Sequence, residues 1–309
     1  MEYTKEYLEN LLAELMTEVA ATREDNKTVP VSGIRGVIGL EDREIDFVFY
    51  PARRENAPLI LGFHGGGFLF GGSALNDAMW SRSAEVLDAN IVSVGYRKSP
   101  EYKYPEALED AHEAALYFSA RDEFRGCGYD PAKLMVMGCS AGANLAAALC
   151  IHENRVGNSP IVRQILLYPW LDCATDDQIK GGGADPGPMT YIFRALHADE
   201  KDWENPLVSP VFAEAEDLAG LPEAIMNYAG EDILMPEGKK YAEMLRSAGV
   251  KVSEMTSDGM PHIYFEHGFD PVEKLNVSMV SEEHQEMIRS GRMNEASEET
   301  LRFIKMNME

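Results

Sequence analysis

Val136-Met137-Gly138-Cys139-Ser140-Ala141-Gly142-Ala143-Asn144-Leu145 is the stretch on which the fold of this chain turns. Lys133–Gly138 forms a short apolar run of the kind found in a buried strand, and Ser140–Ile151 carries small and apolar residues at helical spacing. Between them one serine is flanked by Gly138 and Gly142, each two residues away. Gly-x-Ser-x-Gly between a strand and a helix is the nucleophile elbow. The turn is so sharp that side chains two residues to either side would collide, so both flanks must be glycine. An ordinary Gly-Ser turn is the plainer alternative, and the strand–turn–helix setting argues against it.

Upstream, Pro58–Phe63 is a continuous apolar run, the pattern of a strand buried on both faces. His64-Gly65-Gly66-Gly67-Phe68 comes directly after it. Successive glycines at a strand end let backbone N–H groups approach something closely. A phosphate cradle would need Gly-Lys-Ser/Thr or a dinucleotide spacing, and neither is present. With a nucleophile elbow downstream, an oxyanion hole fits better.

Further strands and helices alternate around these two points. Residues 4–20 place Tyr7, Leu8, Leu11, Leu12, Leu15, Met16 and Val19 on one helical stripe. Ile34–Leu40 and Arg43–Tyr50 read as a hairpin, Asp77–Leu87 as a helix, Ile91–Val94 as a strand and Pro105–Phe124 as a long helix. Arg163–Tyr168 is the next strand. From Trp170 to about Phe212 the rhythm breaks, with a loose Gly181-Gly182-Gly183 loop and a short helix over Tyr191–Ala198. Glu223–Ala229 and Lys251–Thr256 are the last strand candidates, separated by a helix opened by Pro236 and ended before Gly249. Ile263–Glu309 is mainly helical. This is the βαβ pattern of a mostly parallel sheet covered by helices on both faces.

Composition narrows the function classes. The 309 residues suffice for a large core, and 45% are hydrophobic. A net charge of −24, from 28 basic and 52 acidic residues, argues against a nucleic-acid partner. Cys127, Cys139, Cys150 and Cys173 form no C-x-x-C pair, so neither zinc nor a disulfide framework is indicated. The acidic start, MEYTKEYLENLL, is unlike a signal peptide, and no apolar run reaches membrane-spanning length. A cytoplasmic protein is expected, without membrane span, metal or cofactor. Oligomeric state stays open, a homodimer being the common form.

A serine hydroxyl needs a base to take its proton, and that base needs a carboxylate to orient it. The chain order Ser, acid, His is met by Ser140, then Asp232 after the Glu223–Ala229 strand, then His262 after Lys251–Thr256. Glu231 and His267 are the second choices for acid and base. His112, His152, His197 and His284 lie on helical patterns and read as surface or core histidines.

These motifs together resemble the hormone-sensitive-lipase-like branch of the α/β-hydrolases, the bacterial carboxylesterases of that group. The carrying residues are His64–Phe68, Tyr96-Arg97-Lys98-Ser99-Pro100-Glu101 with Pro105 and Asp110, Gly138-x-Ser140-Ala141-Gly142 with Asn144-Leu145, Ser209-Pro210, Asp232 and Pro261-His262. They run from about residue 40 to about residue 265. The resemblance implies an α/β-hydrolase fold with a helical cap drawn from 1–40 and 170–212. It implies Ser140 as nucleophile, His262 as general base and acid, and Asp232 as orienting carboxylate. Backbone N–H groups of Gly65, Gly66, Gly67 and Ala141 would form the oxyanion hole, with His64 bracing the loop. The chain departs from the family at Cys139 (usually Asp), Ala143 (usually Gly) and Ile233 (usually Pro). Its tail beyond residue 266 is longer than usual, available to the cap or to an interface.

The expected activity is hydrolysis of short acyl esters, acetyl to butyryl, through an acyl-enzyme. A non-catalytic small-molecule receptor on the same fold and an amidase using the same residues are the alternatives.

Overall fold

A computed structural model describes residues 5–121, 123–124, 127–157, 159–175, 189–270 and 281–308. The expected hairpin is β1 (Ile34–Gly39) and β2 (Glu44–Tyr50), paired antiparallel with Ile45 opposite Ile38 and Phe47 opposite Gly36. Strands β3 (Ala57–Phe63), β4 (Asn90–Gly95), β6 (Cys127–Cys139), β7 (Ile161–Leu167), β8 (Glu223–Ala229) and β9 (Val252–Ser257) run parallel. β2 joins them antiparallel through β4, and the order across the sheet is β1-β2-β4-β3-β6-β7-β8-β9. The two-residue β5 (Glu123–Phe124) pairs with the start of β6.

Packing explains why the strands read as unbroken apolar runs. Along β3, Leu59, Leu61 and Phe63 enter one core and Ile60 the other. Along β6, Leu134 and Val136 alternate with Met135 and Met137 in the same way. A strand's side chains point to opposite faces, so a sheet covered twice needs apolar residues at every position. On one face lie α3 (Glu106–Ser119), α4 (Ala141–Val156), the short α6 (Ala215–Leu218) and α7 (Met235–Ser247), contributing Phe118, Leu149, Leu218 and Leu245. On the other lie α2 (Asp77–Leu87) and α10 (Arg292–Met308), contributing Trp80, Leu301 and Ile304. Burying each such side chain stabilises the fold by roughly 1.5–3 kcal/mol.

Two sequence expectations change here. The helix from Pro105 stops at Ser119 rather than Phe124, because β6 begins at Cys127 and draws Tyr129 alongside Ala57. Pairing with β3 takes up residues that have no period of their own. The described part of the tail does not extend a cap. Short α8 (Tyr264–His267) and α9 (Glu282–Arg289) lead into α10, which packs on α2, α8, β8 and β9 as the closing layer of the sheet.

A third apolar cluster stands apart from the two sheet cores. Leu15 and Val19 of α1 (Lys5–Thr28) meet Ile192 of α5 (Met189–His197) and Leu69, with Phe70 and Phe193 against them. Arg23 of α1 donates to the Leu69 carbonyl at 2.9 Å and to Glu101 at 2.7 Å. The 1–40 and 170–212 segments thus meet over the loop after β3. Residues 176–188, including the triple-glycine loop, lie outside the described residues.

Candidate active site

Strands β3, β6, β8 and β9 all end at the same rim, and each delivers part of one constellation. β6 runs directly into Ser140, whose φ of 55° and ψ of −119° suit no ordinary L-residue. Holding such a conformation costs on the order of 1–3 kcal/mol. The surroundings impose it: the Ser140 N–H donates to the Leu167 carbonyl at 3.0 Å, and the Ser140 carbonyl accepts from Ala143 and Asn144. The Asn144 amide donates to the carbonyls of Trp170 and Val208, tying α4 to the loops beside it.

The flanking glycines are required by close approach. A Cβ at Gly138 would lie 2.1 Å from the Gly142 carbonyl oxygen, and one at Gly142 would lie 2.0 Å from that of Phe63. Both obstacles are backbone, which cannot swing away. Gly142→Ala is therefore expected to destabilise the protein by about 3 kcal/mol or more, a size reserved for specific core damage. Urea unfolding would check it; a midpoint unchanged from the parent protein would contradict the close approach.

Ser140, His262 and Asp232 form one hydrogen-bonded row. His262 Nε2 lies 2.9 Å from Ser140 Oγ, and His262 Nδ1 lies 2.6 Å from Asp232 Oδ2. A carboxylate only accepts, so Nδ1 carries the proton and the Nε2 lone pair faces the hydroxyl. Asp232 is 3% exposed at its side chain, and its other oxygen accepts the Leu234 N–H at 3.0 Å. That bond holds the acid turn with Ile233 in place of proline. The second choices fall elsewhere: Glu231 is exposed, and burial pushes His267 down to about 4.

Burial works against the charged form of His262, but Asp232, with Glu266 and Glu237, outweighs it and raises the imidazole above its ordinary value. Glu266 is a residue the sequence reading did not single out. It is 4% exposed, accepts the Tyr168 hydroxyl, and interacts with the Cys139 thiol. The Tyr168 ring in turn meets His262 edge to face at 5.1 Å. Cys139 itself is fully buried, and burial raises its thiol. The Tyr168–Glu266 hydrogen bond thus stands beside Cys139, at the position where the family usually carries Asp. The one local signal for Glu266 is its place four residues beyond His262.

The His64–Phe68 loop lies beside the elbow because β3 and β6 are neighbours in the sheet. Gly66 and Gly67 have φ of 104° and 61°, and the Gly66 carbonyl accepts from Leu69 and Phe70, closing the loop on itself. Among the described residues the N–H groups of Gly66 and Gly67 have no acceptor. Ala141 opens α4, where a backbone N–H has no partner within the helix. Gly65 lies against the Cys139 carbonyl and the Ser140 side chain. His64 is fully buried, stacked on Tyr96 at 4.3 Å, with Nδ1 2.7 Å from the Gly65 carbonyl oxygen. Burial drives it down to about 3, so it stays neutral and acts as a brace.

A pocket of about 220 Å³ opens over the row, lined by Gly67, Ser140, Trp170, Phe193, Asp232, Ile233, Leu234 and His262. Trp170, Phe193, Ile233 and Leu234 make its walls apolar. Phe193 comes from α5, and its ring occupies the space where a Gly67 side chain would stand. His197, also on α5, is stacked on Phe68 at 3.6 Å and belongs to the core.

The chain is similar to known proteins over most of its length. The family described as the α/β-hydrolase fold matches residues 60–266. An arylesterase of Saccharolobus solfataricus is 35% identical over 245 residues, covering 76% of this chain and 78% of its own. The carboxylesterase NlhH of Mycobacterium tuberculosis is 32% identical over 235 residues, 74% of this chain and 73% of its own. Among solved structures, an esterase of Pyrobaculum calidifontis superposes with a TM-score of 0.75 at 26% identity, over 97% of this chain and 94% of its own.

Proposed function

This chain belongs to the α/β-hydrolase family, in its hormone-sensitive-lipase-like branch, and we propose that it is a serine carboxylesterase acting on short acyl esters. The observation that carries the proposal is the Ser140–His262–Asp232 row at the floor of a small apolar pocket. Ser140 Oγ attacks the ester carbonyl carbon as His262 Nε2 takes its proton, and Asp232 stabilises the imidazolium. The negative oxygen so formed is held by N–H groups of the Gly65–Gly67 loop and of Ala141. Each such donor is worth about 3–4 kcal/mol in the transition state. The tetrahedral intermediate then collapses, the C–O bond to the alcohol breaks, and His262 returns its proton to the leaving oxygen. Water attacks the acyl-enzyme by the same steps, releasing the acid and restoring the Ser140 hydroxyl.

The walls set the substrate class. A pocket of about 220 Å³ is below the roughly 300–1,000 Å³ usual for drug-sized ligands. Phe193, which lines it, also packs against the α1–α5 cluster, and this supports a cap built on 1–40 and 170–212. With p-nitrophenyl esters, kcat/KM is expected to be highest for acetate to butyrate and to fall at least about tenfold by laurate. A flat or rising series would refute the short-chain reading. A fluorophosphonate probe should label the protein one to one at Ser140, whereas a receptor on this fold would bind ligand and remain unlabelled.

Activity requires neutral His262, and a raised imidazole is neutral only at higher pH. The acid limb of kcat/KM is therefore expected above the ordinary histidine value of about 6.5. Glu266→Gln removes one of the three carboxylates facing His262, the others being Asp232 and Glu237, so its acid limb should shift to lower pH. A limb unmoved or shifted upward would remove Glu266 from this role. The Cys139, Cys150 and Cys173 thiols are buried and not joined in disulfides, which supports a reducing compartment such as the cytoplasm. No helix among the described residues is long and apolar enough to cross a membrane.

A further inference from the structure

On the helical face away from the rim, α3 and α4 bring together three side chains that the hydrolytic site does not use. His112 comes from α3, and His152 and Glu153 come from α4. One donor atom from each lies within 4.8 Å of the other two. We propose that His112, His152 and Glu153 bind a divalent transition metal of the zinc type, clamping α3 to the helix that carries the nucleophile.

Three observations carry this. The first is Glu153, a carboxylate only 1% exposed. An ionised carboxylate removed from water needs a positive or proton-bearing partner beside it. The nearby cation, Arg155, is instead bound to Asp217 through two hydrogen bonds of 2.7 and 2.9 Å. Glu153 Oε1 faces His112 Nδ1 at 2.5 Å.

The second is the disposition of the rings. His112 and His152 meet edge to face, with centroids 5.0 Å apart and planes at 76°. Two imidazoles on one tetrahedral zinc, with metal–nitrogen bonds of about 2.0–2.1 Å, place their centroids about 5 Å apart. The rings already stand at that separation. Exchanging the shared proton for a metal requires Glu153 and His112 to part by less than about 1 Å, and the His152 donor, within 4.8 Å of both, to close to the spacing of ligands on one ion.

The third is access. His112 is 25% exposed at its side chain and His152 is half-buried, so an ion can enter from solvent and keep water as its remaining ligand. Two imidazoles and one carboxylate suit zinc, cobalt, nickel or copper rather than magnesium or calcium, which prefer all-oxygen sites. An excess of 24 negative charges favours cation binding generally. His152 lies twelve residues along α4 from Ser140, about 18 Å at 1.5 Å per residue, so the ion stands apart from the reacting atoms.

The test uses the untagged full chain stripped of metal with a chelator. Cobalt titration should produce the visible absorption of a low-coordinate Co²⁺ site saturating at one ion per chain. Zinc should displace it and raise the thermal midpoint. His152→Ala lies outside the His112–Glu153 hydrogen bond and should fold normally. It should weaken zinc binding by more than the roughly 10- to 100-fold that losing a ligand's hydrogen-bond partner costs. His112→Ala should do the same. Absence of saturable binding to the parent chain would overturn the site. So would equal zinc affinity and an equal rise in thermal midpoint in His152→Ala, because the ion would then be held elsewhere.

Discussion

Replacing Ser140 with alanine is expected to lower turnover of p-nitrophenyl acetate by about 10⁴- to 10⁶-fold. At 1.36 kcal/mol per decade, that is about 5–8 kcal/mol of lost transition-state stabilisation. The expectation rests on geometry rather than on the motif alone. Ser140 Oγ is the atom that His262 Nε2 faces at 2.9 Å, and it lines the pocket beside Gly67. Alanine keeps the Cβ and the elbow's backbone bonds, so the variant should unfold at the same urea concentration as its parent. Labelling by a fluorophosphonate should disappear with the activity. Turnover within tenfold of the parent, in a folded variant, would mean that another group carries the reaction.

Asp232→Asn is expected to cost about 10⁴-fold in kcat, nearly as much, although no atom that touches the ester is removed. The reason is a constraint on which way the new amide points. Asp232 Oδ1 accepts the Leu234 N–H at 3.0 Å, so in the variant that place must be taken by the amide oxygen. The amide nitrogen then occupies the position of Oδ2, 2.6 Å from His262 Nδ1. Being a donor, it forces Nδ1 to accept and moves the ring proton to Nε2. An Nε2–H facing Ser140 cannot take the hydroxyl proton. Steady-state kinetics beside a urea titration would separate this from loss of fold. A variant retaining a tenth or more of the activity would show that Asp232 does not set the tautomer.

Both expectations concern residues brought together across a long stretch of chain, Ser140 and His262 being 122 positions apart. The sequence could place them because each stands at a point where local sterics leave a signature. Gly138 and Gly142 are demanded by carbonyl oxygens about 2 Å from where a side chain would begin, and only glycine satisfies that demand. Strands β3 and β6 show as apolar runs because the sheet is covered on both faces. Asp232 and His262 come just after strand-like segments, and parallel strands deliver the residues at their C-terminal ends to one rim.

Other features carried no such mark. Tyr168 and Glu266 are bonded across 98 positions, and nothing near either residue announces the other. The helix over Arg292–Met308 reads as an amphipathic tail. Only its packing on α2 and β9 makes it a wall of the core rather than part of the cap. His112, His152 and Glu153 lie on helical patterns without a metal-ligand spacing, and they converge because α3 crosses α4 at that point.

From the sequence alone came the elements, their parallel arrangement, the elbow and the order of serine, acid and histidine. The first three are set by backbone sterics or by a hydrophobic period acting over a few residues, and the last by the chain order that α/β-hydrolases share. Tertiary structure alone decided what backs Cys139, what closes the pocket and which face the tail covers. Those depend on side chains meeting across the sheet, and a meeting between distant positions leaves no trace in the local pattern of either one.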